Sequence, residues 1–391
     1  MPTDENPFLT TKLHGFGTTI FAEMSALAVS TGSINLGQGF PDTDGPQQVL
    51  AAAIEAIRTG KGNQYPPGPG VPELRLAIAD HQRAYYGLDL DPDAEVLVTC
   101  GATEALAASF LSLLDSGDEC IVFEPFYDSY PAGIALAGAR LVPITLRAPD
   151  FQPDPAELAA AVTSRTKAVV VNSPHNPTGT VFTIESLQAI SRIATEHDLI
   201  VIADDAYEHL TFDGVRHVPI ATLPGMFERT ITIGSAGKTL SFTGWKVGWA
   251  TGPQLLVSAV RTSKQFLTYV ASGPFQYAAA VGLGLGSDHF TAFAADLQSK
   301  RDRLLAGLST AGFTVFKPRG TYFITTDISS LTDDTAMDFC RSLPRRCGVV
   351  AIPNSVFYAD PAKGKTYVRF AFCKRIKVID EAVNRLEQLH A

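Results

Sequence analysis

The sequence contains no uninterrupted apolar stretch of the roughly 20 residues that a membrane-spanning helix needs, which argues against a helical membrane protein. It also lacks surplus positive charge: 31 lysines and arginines face 40 aspartates and glutamates, giving a net charge of −9. Binding to nucleic acid or to an anionic membrane depends on such a surplus, so neither partner is expected. The segment Met1–Thr11 has neither the basic nor the apolar region of a signal peptide, and we expect a cytoplasmic protein.

Cysteine is scarce and offers no disulfide or metal framework. The chain has five cysteines, and an odd number in a long chain without export signals indicates reduced thiols. Cys340 and Cys347 lack the close spacing of a zinc knuckle, and no histidine pair supplies the missing ligands. We therefore expect no metal site.

What the sequence does contain is an alternation of short apolar runs with longer helical patterns between Glu95 and Trp249. The runs are brief, rich in β-branched residues and apolar on both faces, as buried strands of a mostly parallel sheet are. They are Glu95–Thr99, Glu119–Phe123, Lys167–Val171, Leu199–Ala203 and Thr230–Gly234. Helical patterns such as Glu104–Leu114 and Ile184–His197 separate them. This alternation predicts an α/β fold with helices on both faces of the sheet.

The chain is also too long for one ordinary core, so two domains are expected. Residues 43–290 are predicted to form a large domain with three αβα layers. Residues 1–42 and 291–391 are predicted to form one smaller α+β domain, with Val368–Phe372 as a late strand.

Polar and reactive residues follow directly after each of the five predicted strands. Ligands of open α/β sheets bind outside the carboxyl ends of the strands, so these residues predict a site at one edge of the sheet. The five segments are Cys100–Glu104, Glu124–Tyr127, Asn172–Gly179, Asp204–Tyr207 and Ser235–Lys238.

With these segments in place, the sequence resembles the fold-type I, class I aminotransferases, which depend on pyridoxal 5'-phosphate. The resemblance runs from Asn35–Asp42 to Val368–Phe370. It points to the branch of kynurenine, glutamine and methionine aminotransferases, and within that branch to N-succinyldiaminopimelate aminotransferases. The resemblance implies transfer of an amino group between an L-amino acid and a 2-oxo acid in two half-reactions, hence ping-pong kinetics.

The resemblance assigns the catalytic residues by position. Lys238 corresponds to the lysine that carries the cofactor and moves a proton between Cα of the substrate and C4′ of the cofactor; such an amine needs a lowered pKa. Asp204 corresponds to the aspartate that keeps the pyridine nitrogen protonated. Asn176 and Tyr207 correspond to the hydrogen-bond partners of the ring's phenolic oxygen. The neighbouring Asp205 is expected to cap the turn that follows.

A phosphate site is expected at the turn of Gly101, Ala102 and Thr103, because backbone N–H groups at a helix N-terminus favour an anion. By resemblance Ser235 adds a hydroxyl and Lys246 a cation. Many relatives have arginine at that position, and lysine replaces a bidentate fork by a point charge.

Two tyrosines complete the implied cofactor site. Tyr127 corresponds to the aromatic residue that stacks on the cofactor ring. Tyr65 corresponds to a tyrosine that reaches the phosphate of the neighbouring subunit, which implies a homodimer with shared active sites.

The implied substrate site centres on Arg369. An arginine can pair with the substrate α-carboxylate through two hydrogen bonds and so fix Cα relative to Lys238. A buried guanidinium also requires an anionic partner. Asn172 corresponds to a residue near the substrate carboxylate, and Gly39 is expected to contact the substrate.

Substrate choice is expected to depend on two departures from the kynurenine aminotransferases. Phe21 takes the place of a substrate-facing tryptophan, and Ala271–Gly273 replaces a bulkier aromatic–histidine pair. Both predict a roomier pocket, which favours N-succinyl-L,L-2,6-diaminopimelate, an intermediate of lysine biosynthesis, with glutamate as amino donor. Arg319 is the candidate cation for the distal carboxylate. Kynurenine, methionine or glutamine transamination and cysteine-S-conjugate β-elimination stay open as alternatives.

Overall fold

A computed structural model describes residues 7–17 and 19–390 of the chain. Residues 1–6, which the sequence assigns to the smaller domain, lie outside the described residues together with Thr18 and Ala391. In the described ranges, no helix has both the length and the apolar character that crossing a membrane requires.

The described residues form helices and strands throughout, joined by turns and short 3-10 helices. The helices are α1 (Ile20–Thr31), α2 (Gln47–Arg58), α3 (Pro72–Tyr86), α4 (Gly101–Leu113), α5 (Ser129–Ala137), α6 (Pro155–Ala161), α7 (Ile184–Glu196), α8 (Ala236–Thr239), α9 (Gln254–Lys264), α10 (Gly273–Leu283), α11 (Ser287–Thr310), α12 (Ala336–Cys347) and α13 (Ile376–Leu386). The strands are β1 (Ile34–Asn35), β2 (Val96–Thr99), β3 (Glu119–Glu124), β4 (Arg140–Thr145), β5 (Thr166–Asn172), β6 (Ile200–Asp204), β7 (Thr230–Ser235), β8 (Gly248–Thr251), β9 (Thr314–Phe316), β10 (Phe323–Asp327), β11 (Val349–Val350), β12 (Ile352–Pro353) and β13 (Tyr367–Ala371).

The central sheet has seven strands in the order β2-β8-β7-β6-β5-β3-β4. Only β8 runs antiparallel to its neighbours, so the sheet is mostly parallel, as predicted. All five predicted strands are confirmed to within about a residue at each end. The sequence reading missed β4 and β8.

Helices cover both faces of this sheet. Successive side chains of a strand point to opposite faces, and along the buried strands both sets are apolar and belong to two hydrophobic clusters. Val122 and Val170 face the cluster that includes side chains of α4, α5 and α9. Their neighbours Ile121 and Val169 face the cluster formed with α6 and α7. Removing one such side chain from water contributes about 1.5–3 kcal/mol. The three αβα layers are confirmed.

A second, antiparallel sheet has the order β12-β13-β10-β9 and shares a hydrophobic cluster with α1, α11, α12 and α13. The two ends of the chain meet here, since β1 pairs in parallel with β11 through Ile34 and Val349. This arrangement is consistent with one smaller α+β domain built from both ends. Its boundaries at 42/43 and 290/291 stay a prediction.

Candidate active site

The carboxyl ends of β2, β5, β6 and β7 open into a pocket of about 300 Å³. The segment 38–40 and the side chain of Arg369 on β13 close it from the smaller sheet's side. Fourteen of the predicted site residues line the pocket: Phe21, Gly39, Gly101, Ala102, Thr103, Tyr127, Asn172, Asn176, Asp204, Tyr207, Ser235, Lys238, Lys246 and Arg369.

Lys238 lies in the single turn of α8, directly after β7. Its Nζ donates to the hydroxyl of Tyr322 at 2.6 Å and to the carbonyl of Gly39 at 3.2 Å. Burial lowers the pKa of this amine to about 8, and the charges of Arg369 and Lys246 act in the same direction. The amine therefore loses its proton far more readily than a solvated lysine.

Asp204 is the last residue of β6 and is 5% exposed. One carboxylate oxygen accepts from the Tyr130 hydroxyl at 2.6 Å, and the other accepts from the backbone N–H of Ala206 at 3.3 Å. Burial raises the pKa of Asp204 to about 6 despite these hydrogen bonds. The prediction that Asp205 caps the following turn was wrong, because Asp204 itself accepts from the backbone there. The carboxylate of Asp205 instead lies 3.1 Å from His217 Nε2.

The N-terminus of α4, where an anion site was predicted, lies next to the amine of Lys246. Gly101 has φ +77°, which favours glycine, and a Cβ added there would lie 3.3 Å from Lys246 Nζ. A Cβ on Gly248 would lie 2.6 Å from the carbonyl carbon of Gly101, so β8 approaches this turn only because it carries no side chain there. The buried Ser235 ends β7 at the same pocket. Free N–H groups and an ammonium on one spot suit a phosphate.

Two tyrosine rings form further walls of the pocket. The Tyr127 hydroxyl lies 3.4 Å from Thr103 Oγ1, and its ring meets that of Tyr130 edge-on. Tyr207 is 5% exposed and meets Tyr322 edge-on, with centroids 5.3 Å apart. Their hydroxyls keep their protons because burial raises both pKa values.

Arg369 is a buried cation at the centre of β13, 2% exposed. Its guanidinium donates to Asn176 Oδ1 and to the Gly37 carbonyl, both at 3.1 Å, and lies 4.0 Å from the centroid of the Phe323 ring. Its Nε is buried and has no hydrogen-bond partner, and none of the ion pairs between described residues includes Arg369. Burial lowers the pKa of this guanidinium to about 10, and an anion bound in the pocket would compensate its charge.

Asn172 lines the pocket but its amide is committed to the protein. Its Nδ2 donates to the carbonyls of Asp204 at 2.8 Å and Pro174 at 3.3 Å, and its Oδ1 accepts from the backbone of Asn176 at 2.9 Å. These bonds favour a role in shaping the loop that presents Asn176 over the predicted contact with substrate.

Three predicted positions lie away from this pocket. Tyr65 is 81% exposed and packs edge-on against Tyr269. Gly273 of the predicted specificity segment packs on Gly62, in the same region. Arg319 has a side chain that is 53% exposed and faces Asp213 at 3.9 Å. The candidate role of Arg319 for a distal carboxylate was therefore wrong.

The expectation of no metal site overlooked a cluster of His81, Glu208 and His209, whose ligand atoms lie within 4.8 Å of one another. The two Nε2 atoms are 2.6 Å apart. Two nitrogens bound to one zinc ion at tetrahedral geometry lie about 3.3 Å apart, so 2.6 Å fits a hydrogen bond between imidazoles instead. Burial lowers the pKa of His81 to about 4 and that of His209 to about 3, so both rings are neutral and one can donate to the other.

Comparison with known proteins decides the family. Residues 31–386 match the family described as "Aminotransferase class I and II". The chain belongs to this family. This aminotransferase is 50% identical to the probable N-succinyldiaminopimelate aminotransferase DapC of Mycobacterium tuberculosis, over 97% of this chain and 98% of the relative. It is 39% identical to the methionine aminotransferase of Escherichia coli, over 98% and 99% of the two chains. The solved structure of the Mycobacterium tuberculosis N-succinyldiaminopimelate aminotransferase superposes with a TM-score of 0.95, at 50% identity, covering 97% of this chain and 100% of that one.

Aminotransferases of this family and fold depend on pyridoxal 5'-phosphate, and the pocket fits that cofactor. The N-terminus of α4 with Lys246 suits its phosphate, the buried carboxylate of Asp204 suits a protonated ring nitrogen, and the amine of Lys238 suits its aldehyde. The sequence reading missed Tyr130 and Tyr322, the direct hydrogen-bond partners of Asp204 and Lys238.

We expect Asp204→Asn to stabilise the cofactor-free aminotransferase at pH 8 and to lower the activity of the holoenzyme. A folded pKa of about 6, above the ordinary 3.8, means that the folded state holds this proton more tightly than the unfolded state does. Asp204 therefore contributes most to the free energy of unfolding below pH 4. About 3 kcal/mol of this contribution is lost as the pH rises through 6. The Tm advantage of Asp204→Asn should be a few degrees at pH 8 and should vanish near pH 4.

Asp205→Asn is the matched control, because its carboxylate has His217 as partner and its loss should bring no gain in Tm. If Asp204→Asn had a lower Tm than the wild-type apoprotein at pH 8, the charged carboxylate of Asp204 would not be destabilising the fold, and this expectation would be wrong.

Proposed function

We propose that this aminotransferase acts in lysine biosynthesis and exchanges an amino group between N-succinyl-L,L-2,6-diaminopimelate and 2-oxoglutarate by a ping-pong mechanism. The observation that carries the substrate proposal is the 50% identity, along nearly the whole chain, to a relative named for this substrate, against 39% to the methionine enzyme. The roomier pocket expected from Phe21 supports it.

Substrate binding begins at Arg369. Its buried guanidinium, without a carboxylate partner in the described chain, pairs with the substrate α-carboxylate, and Asn176 holds it in place at 3.1 Å. Phe21 lies beside it, with its ring centroid 5.2 Å from the guanidinium carbon, and shields the pair from water. This anchoring fixes the direction of the bond from Cα to hydrogen.

Proton transfer is then the task of Lys238. Its amine, with a pKa lowered to about 8, is placed to take the proton from Cα of the donor, and with the cofactor bound it would return that proton at C4′. When bound, pyridoxal 5'-phosphate supplies the electron sink that stabilises negative charge at Cα. Asp204 would maintain that sink by keeping the ring nitrogen protonated, and the Tyr130 hydroxyl donates to Asp204 at 2.6 Å.

The remaining pocket residues bind and orient the cofactor. The backbone of Gly101, Ala102 and Thr103, with Ser235 and Lys246, would hold its phosphate. Asn176 and Tyr207 would donate to its phenolic oxygen, and Tyr127 would stack on its ring.

The enzyme is further proposed to work as a homodimer in the cytoplasm. Tyr65 is 81% exposed and does not line its own chain's pocket, yet it lies in one region with Tyr269 and the 271–273 segment. A partner subunit placed on this region would receive Tyr65 at its phosphate site. All five cysteines are free thiols, consistent with a reducing compartment.

A panel of amino donors with 2-oxoglutarate tests the substrate proposal. We expect kcat/KM for the succinylated substrate to exceed that for kynurenine, methionine and glutamine by about 10- to 100-fold, because only the succinylated substrate would use the full pocket. Brisk turnover of kynurenine or methionine with negligible turnover of the succinylated donor would reverse the assignment. Release of pyruvate from cystathionine without 2-oxoglutarate would indicate β-elimination instead.

A further inference from the structure

Tyr322 contacts the amine of Lys238 through its hydroxyl and is tightly packed. It is 1% exposed, and its ring packs edge-on against Tyr207 at 5.3 Å and Phe323 at 4.8 Å between centroids. It directly precedes β10, so its hydroxyl is placed by the smaller sheet while Lys238 is placed by the central one. The two residues thus join the two sheets at the reacting amine.

The Gly39 carbonyl, which can only accept, sets the direction of the hydrogen bonds at this hydroxyl. Burial raises the pKa of Tyr322 well above its ordinary value, so the phenol keeps its single proton. That proton goes to the carbonyl of Gly39, which lies 2.5 Å away and can only accept. The Tyr322 oxygen is then left as an acceptor for Lys238 Nζ at 2.6 Å.

The Gly39 carbonyl is the second acceptor for the same amine, at 3.2 Å. The carbonyl reaches this position because residue 39 has no side chain: an added Cβ would lie 2.5 Å from Phe323 Cζ and 3.2 Å from Tyr322 Cε2. The side chain of Phe323 could not yield, since it is itself buried. The glycine that the sequence assigned to substrate contact therefore also serves the lysine.

These two acceptors determine where the lone pair of Lys238 points. A neutral amine has two N–H bonds and one lone pair, and Tyr322 and Gly39 take both N–H bonds. The lone pair is left directed away from them, into the pocket that the amine lines. The other groups facing the amine are Arg369, Lys246, Asp204, Cys373 and the ring of Tyr207, and no hydrogen bond joins any of them to Nζ among the described residues.

We propose that Tyr322 is a positioning residue that, with the Gly39 carbonyl, holds the free amine of Lys238 so that its lone pair faces the substrate Cα during proton transfer. The inference rests on the proposed role of Lys238 as the proton carrier. Without the Tyr322 hydroxyl, one N–H loses its acceptor and the amine can rotate away from the attack geometry. Losses of this kind slow the proton transfer itself rather than substrate binding.

The test compares Tyr322→Phe with the wild-type holoenzyme. We expect kcat to fall roughly 10- to 100-fold with KM changed less than about threefold. The primary isotope effect with a donor deuterated at Cα should rise, because proton transfer becomes the slower step, and cofactor content should stay at the wild-type level. Tyr358→Phe, which removes another buried phenol hydroxyl outside the pocket, should alter neither quantity.

Outcomes separate this inference from the proposal beneath it. An unchanged kcat, or a lower kcat with an unchanged isotope effect, would overturn the role of Tyr322 while leaving Lys238 as the proton carrier. If Tyr322→Phe lowers Tm, the isotope effect still decides, since it is measured on molecules that turn over. Proton transfer from Cα that persists at the wild-type rate in a Lys238→Ala variant would instead reject the role of Lys238 itself.

Discussion

Replacing Lys238 with alanine is expected to lower kcat by at least about three orders of magnitude, for every donor and acceptor tested. The change removes both the group that attaches the cofactor and the proton carrier, and general acid–base catalysis alone accounts for about 10²- to 10⁴-fold. Single-turnover measurements of each half-reaction would show the same loss in both, because the same amine moves the proton in each direction.

Lys264→Met provides the matched control. Lys264 is also buried, 1% exposed, and its pKa is lowered by burial, but its amine donates to the Tyr269 carbonyl outside the pocket. The control should lose stability and keep most of its kcat. If both variants lost activity equally, the loss would follow from removing any buried lysine, and no special role of Lys238 would be shown.

Replacing Arg369 with methionine is expected to lower kcat/KM by about 10²- to 10³-fold for both the amino acid and the 2-oxo acid. Both substrates carry an α-carboxylate, and a charge-assisted pair of hydrogen bonds is worth about 2.7–4 kcal/mol at this loss. An amine without a carboxylate should be a poor substrate of the wild type and should be hardly affected by the change. Arg369→Lys should recover only part of the loss, because an ammonium cannot form the two parallel hydrogen bonds.

Arg301 offers a control of the same residue type and burial. It is fully buried, but it pairs with Asp213 at 2.7 Å and Asp302 at 2.6 Å. Arg301→Met should therefore lower Tm and leave KM unchanged, since it breaks a structural ion pair. Arg369→Met should instead raise KM without lowering Tm. A drop in Tm without a rise in KM for Arg369→Met would assign Arg369 a structural role only.

Sequence reasoning found the strands whose burial produces a local run of apolar residues. Runs such as the one preceding Asn172 are apolar on both faces because helices cover both faces of the sheet. The edge strand β4 begins with Arg140 and contains Pro143, which only an edge position tolerates, so its pattern is weak. The four residues of β8 include Gly248, which is required by the approach to Gly101 rather than by strand formation.

The same distinction applies to the site. Position after a strand end was enough to collect Lys238, Asp204 and Asn176 at one edge. Their partners were not predictable, because Tyr130 reaches Asp204 across 74 residues and Tyr322 reaches Lys238 across 84. No local pattern records such pairings, and the error over Arg319 has the same origin.

Mapping the covalent attachment of the cofactor tests the central claim most directly. The purified holoenzyme would be reduced with borohydride, digested and analysed by mass spectrometry. We expect the cofactor's mass on the peptide that contains Lys238, at about one per chain. Attachment to a different lysine, such as Lys246, or to none in an enzyme that is otherwise active, would contradict it.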